Sequence, residues 1–482
     1  VQCAEQGRGR FGGGRHSGFR VHSRREGLAA LWDNRRGMTW AKLDTAAVAR
    51  ALAAVATEPG DLAEVYFERR IDAEWPPAEA NCGLRIRREE GLAVRLVRGP
   101  RAWLASRDEI SGAGLASALR QVARAQPAAM VEPELAAGDP LAIPAVPIAT
   151  LRNFAAELER AIRRHHVAFP FRLTTRWHRR DLQVVGPRWV PDGEREVFYS
   201  LDVEMPWGRY GALATALQAG EAERVARALV TRFRAREAPP PAPGRYPLLL
   251  SPGATAVMLH EAVGHALEAD LLAAGAAGEG YRSAAGAAEL RQAPAAGRPL
   301  LDVLDDPRRA PRGVDRTTDD EGQAVVRRWL IRGGRVDQPI ADALHAARSE
   351  QLMPGSGFRG SRHQTPLPRT HHLELLPGGA DASAMFAAAE GGLFVPELDQ
   401  GSLDPESGEV VLHAPCGRII RDGAQAAGRE QRPLRGAVLE PGLPEPAPGK
   451  LPPQLALDRG EERSGDRLRG ERRVELGRRS PW

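Results

Sequence analysis

Two histidines flank a glutamate in the segment SPGATAVMLHEAVGHALEAD, residues 251–270, at His260, Glu261 and His265. Neutral imidazoles bind zinc, and an adjacent carboxylate can take a proton from metal-bound water, whose pKa falls to about 7. These are the donors of a hydrolytic zinc site, with Glu261 as the base. Their spacing is unusual. Histidines four apart on a regular helix are offset by only ~40°, whereas five apart they diverge by ~140°. An i→i+5 π-turn would bring them back onto one face. Gly264 lies inside this turn and tolerates unusual backbone angles. The spacing therefore predicts a distorted helix over 260–265. Glu268 and Asp270 follow one turn later, where either can orient a ligand histidine. The competing reading is ordinary packing, because short motifs of this kind also arise by chance. The preceding SPGATA is not a P-loop, since no Gly-Lys-Ser/Thr follows.

The elements that must position these residues read as an α+β protein. Residues 43–55 have helical apolar spacing, with Asp44 or Thr45 as the cap. Residues 61–70 alternate as a strand, 83–106 as a meander of two or three strands, and 110–126 as a second helix. A Pro-rich link follows at roughly 133–147. Residues 151–169 form a strongly amphipathic helix, 171–186 read as strands, and 222–236 as a further helix ended by the EAPPPAPG block. The boundaries are 1–37, a disordered basic tail; 38–240, helices laid on an antiparallel sheet; 245–440, a β-rich region carrying the metal-binding helix; and 441–482, a disordered tail. In the β-rich region, strands are expected within 299–307, 324–336, 370–379, 391–398 and 408–423.

Composition narrows the function classes. The 482 residues are 42% hydrophobic and 27% charged, enough for a sizeable core and against wholesale disorder. Three cysteines, Cys3, Cys82 and Cys416, exclude a disulfide scaffold and fit a reducing, cytoplasmic compartment. No apolar run is long enough for a membrane span. The net charge of +5 invites a nucleic-acid reading. Of 67 basic residues, however, only Lys42 and Lys450 are lysines, which looks like GC-rich base composition. Residues 1–37 alone hold eight arginines against three acidic residues, so the excess sits in a tail and no nucleic-acid partner is expected. Asp305-Asp306 and Asp319-Asp320-Glu321 fit no EF-hand loop and read as turn or solvent-facing acidic groups ahead of a Ca²⁺ or Mg²⁺ site. His165-His166 read as structural residues at a helix C-terminus.

PGATAVMLHEAVGHALEAD resembles the signature helix of the TldD/PmbA family of metalloproteases, in its TldD-like branch. Residues 304–336, with their Asp-Asp-Pro and Asp-Asp-Glu-Gly elements, are similar to the family in the same order. So are the Gly/Arg loop at 356–370 and the later segments LPGGADASAMFAAAEGGLFV and LDPESGEVVLHAPCGRIIRDG. The resemblance covers roughly 40–440. It implies Zn²⁺ held by His260 and His265, Glu261 as general base, and cleavage of unfolded or extended peptides by attack of metal-bound water. It also implies a PmbA-like partner subunit or a homodimer, and an extended substrate held by strand addition. TldD-like members supply a third ligand from a cysteine near the C-terminus, but this chain has no cysteine after Cys416. Cys416 itself falls in an earlier strand–turn element and reads as a buried, inert thiol, with His413 beside it as a structural strand residue. The THH at 370–372 also departs from the family pattern. The alternative function is therefore a non-catalytic peptide-binding subunit that has lost a metal ligand. The Arg/Gly/Ala/Pro-rich ends fit GC-rich DNA read out of frame, with Met38 as the expected natural start.

Overall fold

The computed structural model describes residues 44–77, 83–99, 101–123, 146–186, 193–274, 301–311, 313–349, 351–379, 381–403, 410–421, 433–441 and 455–458. The tail at 1–37 and most of the 133–147 link lie outside the described residues. So does the tail at 441–482, apart from Pro441 and the strand at Leu455–Asp458.

The N-terminal half is built on one antiparallel sheet. Helix α1 (Thr45–Ala53) is capped by Asp44, whose carboxylate accepts from the Ala47 N–H. The strands are β1 (Leu62–Trp75), β2 (Arg85–Arg98), β3 (Arg101–Arg107), β4 (Arg172–Val185), β5 (Glu194–Met205) and β6 (Gly208–Ala214), ordered β3-β2-β1-β4-β5-β6. Helices α2 (Gly112–Val122), α3 (Ile148–Arg164) and α4 (Ala219–Ala235) join α1 in covering one sheet face. Period-two alternation sends Val65, Phe67, Val94 and Val185 into the core with α1 and α2, and Trp177, Leu201 and Val203 into the core with α3 and α4. The sequence reading assigns no strand to 194–214. There, the even positions of β5 carry Glu194, Glu196, Asp202 and Glu204, a charged face opposite the apolar one of Val197, Tyr199, Leu201 and Val203. Helix α3 ends at His165, which reaches Glu223 at 2.9 Å, with His166 left-handed at φ +56°, consistent with structural roles for both.

The other face of this sheet is charged and still buried. The C-terminal half covers it with residues 316–321 and 356–362. Arg95 is bidentate to Glu64 at 2.8 and 2.9 Å and also meets Glu321. Arg180 joins Glu68 at 2.8 Å and Asp320 at 3.3 Å. Arg316 links Glu196 at 2.7 Å to Asp320 at 2.8 Å, and Arg359 reaches Glu64 at 2.6 Å. This corrects the solvent-facing reading of Asp319-Asp320-Glu321: all three are at most 1% exposed. Two of their arginine partners, Arg95 and Arg180, come from strands more than a hundred residues away, which local patterning does not reveal.

Burial pushes the Asp320 carboxyl up, but Arg180 and Arg316 outweigh it and hold it well below the usual range. Burial dominates at Glu321, whose pKa rises to about 7 against the opposing pull of Arg95. The folded chain thus holds this proton more tightly than the unfolded chain, where the group has its ordinary value of 4.5. Stability from this group is full below pH 4.5 and is lost as pH rises through about 7, by at most about 3 kcal/mol. Asp319, raised by burial and by Glu321, acts in the same direction. Glu321→Gln is expected to flatten the fall in melting temperature between pH 5 and 7; an unchanged slope counts against this assignment.

The C-terminal half holds, among the described residues, two larger sheets and a two-stranded one. Strands β7 (Gly244–Tyr246) and β8 (Leu248–Leu250) lead into helix α5 (Pro252–Leu259). After β9 (Val303–Asp305), β10 (Arg328–Arg332) and β11 (Arg335–Val336) come the β12–β13 pair (Gly357–Phe358, Leu367–Pro368) and β14 (Leu373–Leu375). The four-stranded sheet is ordered β11-β10-β9-β14. The remaining strands are β15 (Leu393–Val395), β16 (Gln400–Leu403), β17 (Val410–Ile419), β18 (Pro433–Pro441) and β19 (Leu455–Asp458). With β7 and β8 they make the larger sheet, in which β16 pairs with β17. Helix α5 and the turn after it lie between the two sheets. Ala254, Val257 and Ala262 pack with Leu393, Val395 and Leu412 on the larger, while Leu259, Val263 and Leu267 pack with Val303, Leu330 and Leu373 on the smaller. Among the described residues no helix is long and apolar enough to cross a membrane.

Candidate metal centre

Helix α5 starts on Ser251, whose hydroxyl accepts from Ala254 N–H with Pro252 in the first turn. It then widens into a π-turn at His260–Gly264, closed by the His265 N–H donating to the His260 carbonyl. This i→i+5 bond performs the realignment that the five-residue spacing requires. The two rings stand 4.5 Å apart, inclined by 68°. One nitrogen of each histidine and a carboxylate oxygen of Glu261 all lie within 4.8 Å of one another.

Gly264 serves this turn differently from the sequence reading. Its backbone is ordinary right-handed helix, φ −58° and ψ −64°. What it lacks is bulk: a Cβ there would stand 3.0 Å from Thr370 Cγ2 and 3.3 Å from Leu373 Cδ1. Gly401, on β16, does the same for Glu261, since a Cβ there would come within 2.4 Å of Glu261 Cγ.

The surroundings prepare both imidazoles. Burial, helped by the neighbouring His265, lowers His260 to about 4, so it is neutral at physiological pH. His265 is raised by its hydrogen bond to Glu268, with Nδ1 and Oε1 3.1 Å apart. Glu268 is itself buried, which raises its carboxyl. Of the two acidic residues expected to orient a ligand, Glu268 is the one that meets His265, whereas Asp270 faces Arg369 at 3.2 Å. On His260, Thr370 Oγ1 stands 3.4 Å from Nδ1. With both Nδ1 atoms engaged by protein, the Nε2 atoms are the ones left to bind a metal. Two imidazoles with a carboxylate beside them, in a partly buried site, form a group that could hold a metal ion.

The other sequence candidates lie apart from this cluster. Cys416 is buried on β17, its thiol pushed up by burial and by Glu397, which lies 3.6 Å away. His413 pairs with Asp399 at 2.6 Å. Cys3 and Cys82 fall outside the described residues. Asp305 accepts the backbone N–H groups of His371 at 3.1 Å and His372 at 2.7 Å. The sequence reading assigned no role to Arg369, Thr370 or Gly401, whose importance comes from long-range contacts.

Residues 243–440 match the model of the PmbA/TldA metallopeptidase C-terminal domain. This region of the chain is similar to the C-terminal domain of the PmbA/TldD metallopeptidases. A Metalloprotease TldD homolog of Haemophilus influenzae is 29% identical over 202 residues, covering 41% of this chain and 38% of that protein. One from Buchnera aphidicola subsp. Schizaphis graminum is 26% identical over 220 residues, 46% of this chain and 42% of that protein. The chain thus spans about two fifths of the length of the curated relatives it matches. TldE from Thermococcus kodakarensis superposes with a TM-score of 0.55 at 17% identity, covering 79% of this chain and 87% of that one. A Thermotoga maritima protein, described as a candidate modulator of a DNA gyrase, gives 0.58 at 16% identity over 81% and 90%. At these identities the structural likeness concerns the PmbA/TldD fold alone.

Proposed function

We propose that this chain is a zinc-dependent peptidase of the TldD-like branch, acting on unfolded or extended peptides. The observation that carries this reading is the π-turn that gathers His260, Glu261 and His265 into one cluster. A zinc ion bound there supplies Lewis acidity to the scissile carbonyl and acidifies the attacking water. His260 and His265 would hold the metal through Nε2. Glu261 accepts the proton from water and passes it to the departing amine. Gly401 lets β16 lie directly against Glu261. Among the described strands β16 pairs with β17 alone, so an extended peptide can add along its other edge, beside the base. Backbone pairing of this kind selects for an extended chain more than for sequence. We further propose a cytoplasmic location, from the sparse cysteines, and assembly with a PmbA-like subunit or a second copy.

A second reading, a non-catalytic peptide-binding subunit, draws support from Cys416, which lies with Glu397 and not with the histidines. Cleavage of an unstructured peptide by the full chain, with and without a PmbA-like partner, separates the two. The peptidase reading predicts cleavage that a chelator blocks and zinc restores. Failure to cleave in the presence of zinc and partner supports the second reading.

A further inference from the structure

Both imidazoles of the metal centre are held at Nδ1, and both holds trace to two consecutive residues outside the metal helix. His265 Nδ1 meets Glu268 Oε1 at 3.1 Å, and the other oxygen of that carboxylate takes Arg369 Nη1 at 2.8 Å. The same guanidinium nitrogen reaches Asp270 at 3.2 Å. The next residue, Thr370, places its hydroxyl 3.4 Å from His260 Nδ1.

This stretch joins β13 to β14 and is fixed from several sides. The Arg369 N–H donates to the Ser356 carbonyl at 3.0 Å. Asp305 Oδ1 takes the backbone N–H groups of His371 and His372, and the His372 carbonyl accepts from the Asp306 N–H at 3.1 Å. The Asp305-Asp306 pair is thereby explained as an anchor for this connection. Glu268 is only 1% exposed, so Arg369 is the cation that keeps a buried carboxylate turned toward His265.

We propose that Arg369 and Thr370 are the positioning residues of the metal centre, holding Nδ1 of both histidines so that each presents Nε2. This rests on the zinc reading given above. An imidazole can bind a metal through either nitrogen, and the partner on one decides the other. Such outer contacts are typically worth about 10–100-fold in metal affinity. The Arg369–Glu268 arm is charge-assisted and short, the Thr370 arm neutral and longer, so the first carries more of the effect.

The test is zinc affinity of the full chain, measured by competition with a chromophoric chelator, alongside the melting temperature of the metal-free protein. Arg369→Met is expected to weaken zinc binding by about 10–100-fold. Thr370→Val should give a smaller loss that Thr370→Ser recovers. If Arg369→Met does not fold, Arg369→Lys, which keeps the charge on a shorter side chain with a compact ammonium, should show an intermediate loss. Folded variants that bind zinc within about twofold of the parent overturn the positioning role and leave the metal centre standing. A parent chain that binds no zinc overturns both.

Discussion

Glu261→Gln is expected to lower peptide cleavage by about 10²–10⁴-fold while zinc stays bound. The amide keeps the size and planarity of the carboxylate but cannot accept the proton from water. His260 and His265 still face each other across the π-turn, and their Nδ1 partners, Thr370 and Glu268, are untouched. Gly401→Ala reaches the same carboxylate from the opposite side. Its new methyl group would come within 2.4 Å of Glu261 Cγ and displace that side chain, since β16 is held by its pairing with β17. A shift of about 1 Å at a reacting group can cost about 100-fold. Cleavage that persists at the parent rate in Glu261→Gln would remove Glu261 from the chemistry.

Arg316→Met is expected to destabilise the protein by about 3–5 kcal/mol. Arg316 is fully enclosed and joins Glu196 of β5 to Asp320, so its loss leaves two buried carboxylates sharing Arg180. The cost comes from stranded charge more than from a lost attraction. Replacing Arg316 and Asp320 together should therefore cost less than the sum of the single changes. Denaturant unfolding of the metal-free protein reads both numbers. A loss below about 1 kcal/mol for Arg316→Met would mean that the network is hydrated or easily rearranged.

Features set by local spacing were legible in the sequence. Histidines five apart demanded a widened turn, and the turn is there. The alternation of β1 and β2 and the amphipathic faces of α3 and α4 placed the N-terminal layers. What escaped were features set by distant partners. Gly264 matters for the closeness of Thr370, which lies 106 positions further along the chain, and its backbone angles are unremarkable. Asp319, Asp320 and Glu321 look like a solvated turn until Arg95, Arg180 and Arg316 are seen around them. The arginine excess reads as base composition, yet Arg95, Arg180 and Arg316 each use a planar fork that a lysine does not offer. β5 stayed hidden because one of its faces belongs to this charged layer.

The zinc content of the purified full chain tests the central claim most directly. The account predicts about one zinc per chain, lost in His260→Ala and in His265→Ala with the fold retained. A folded parent chain without zinc, or zinc that survives removal of both histidines, would contradict it.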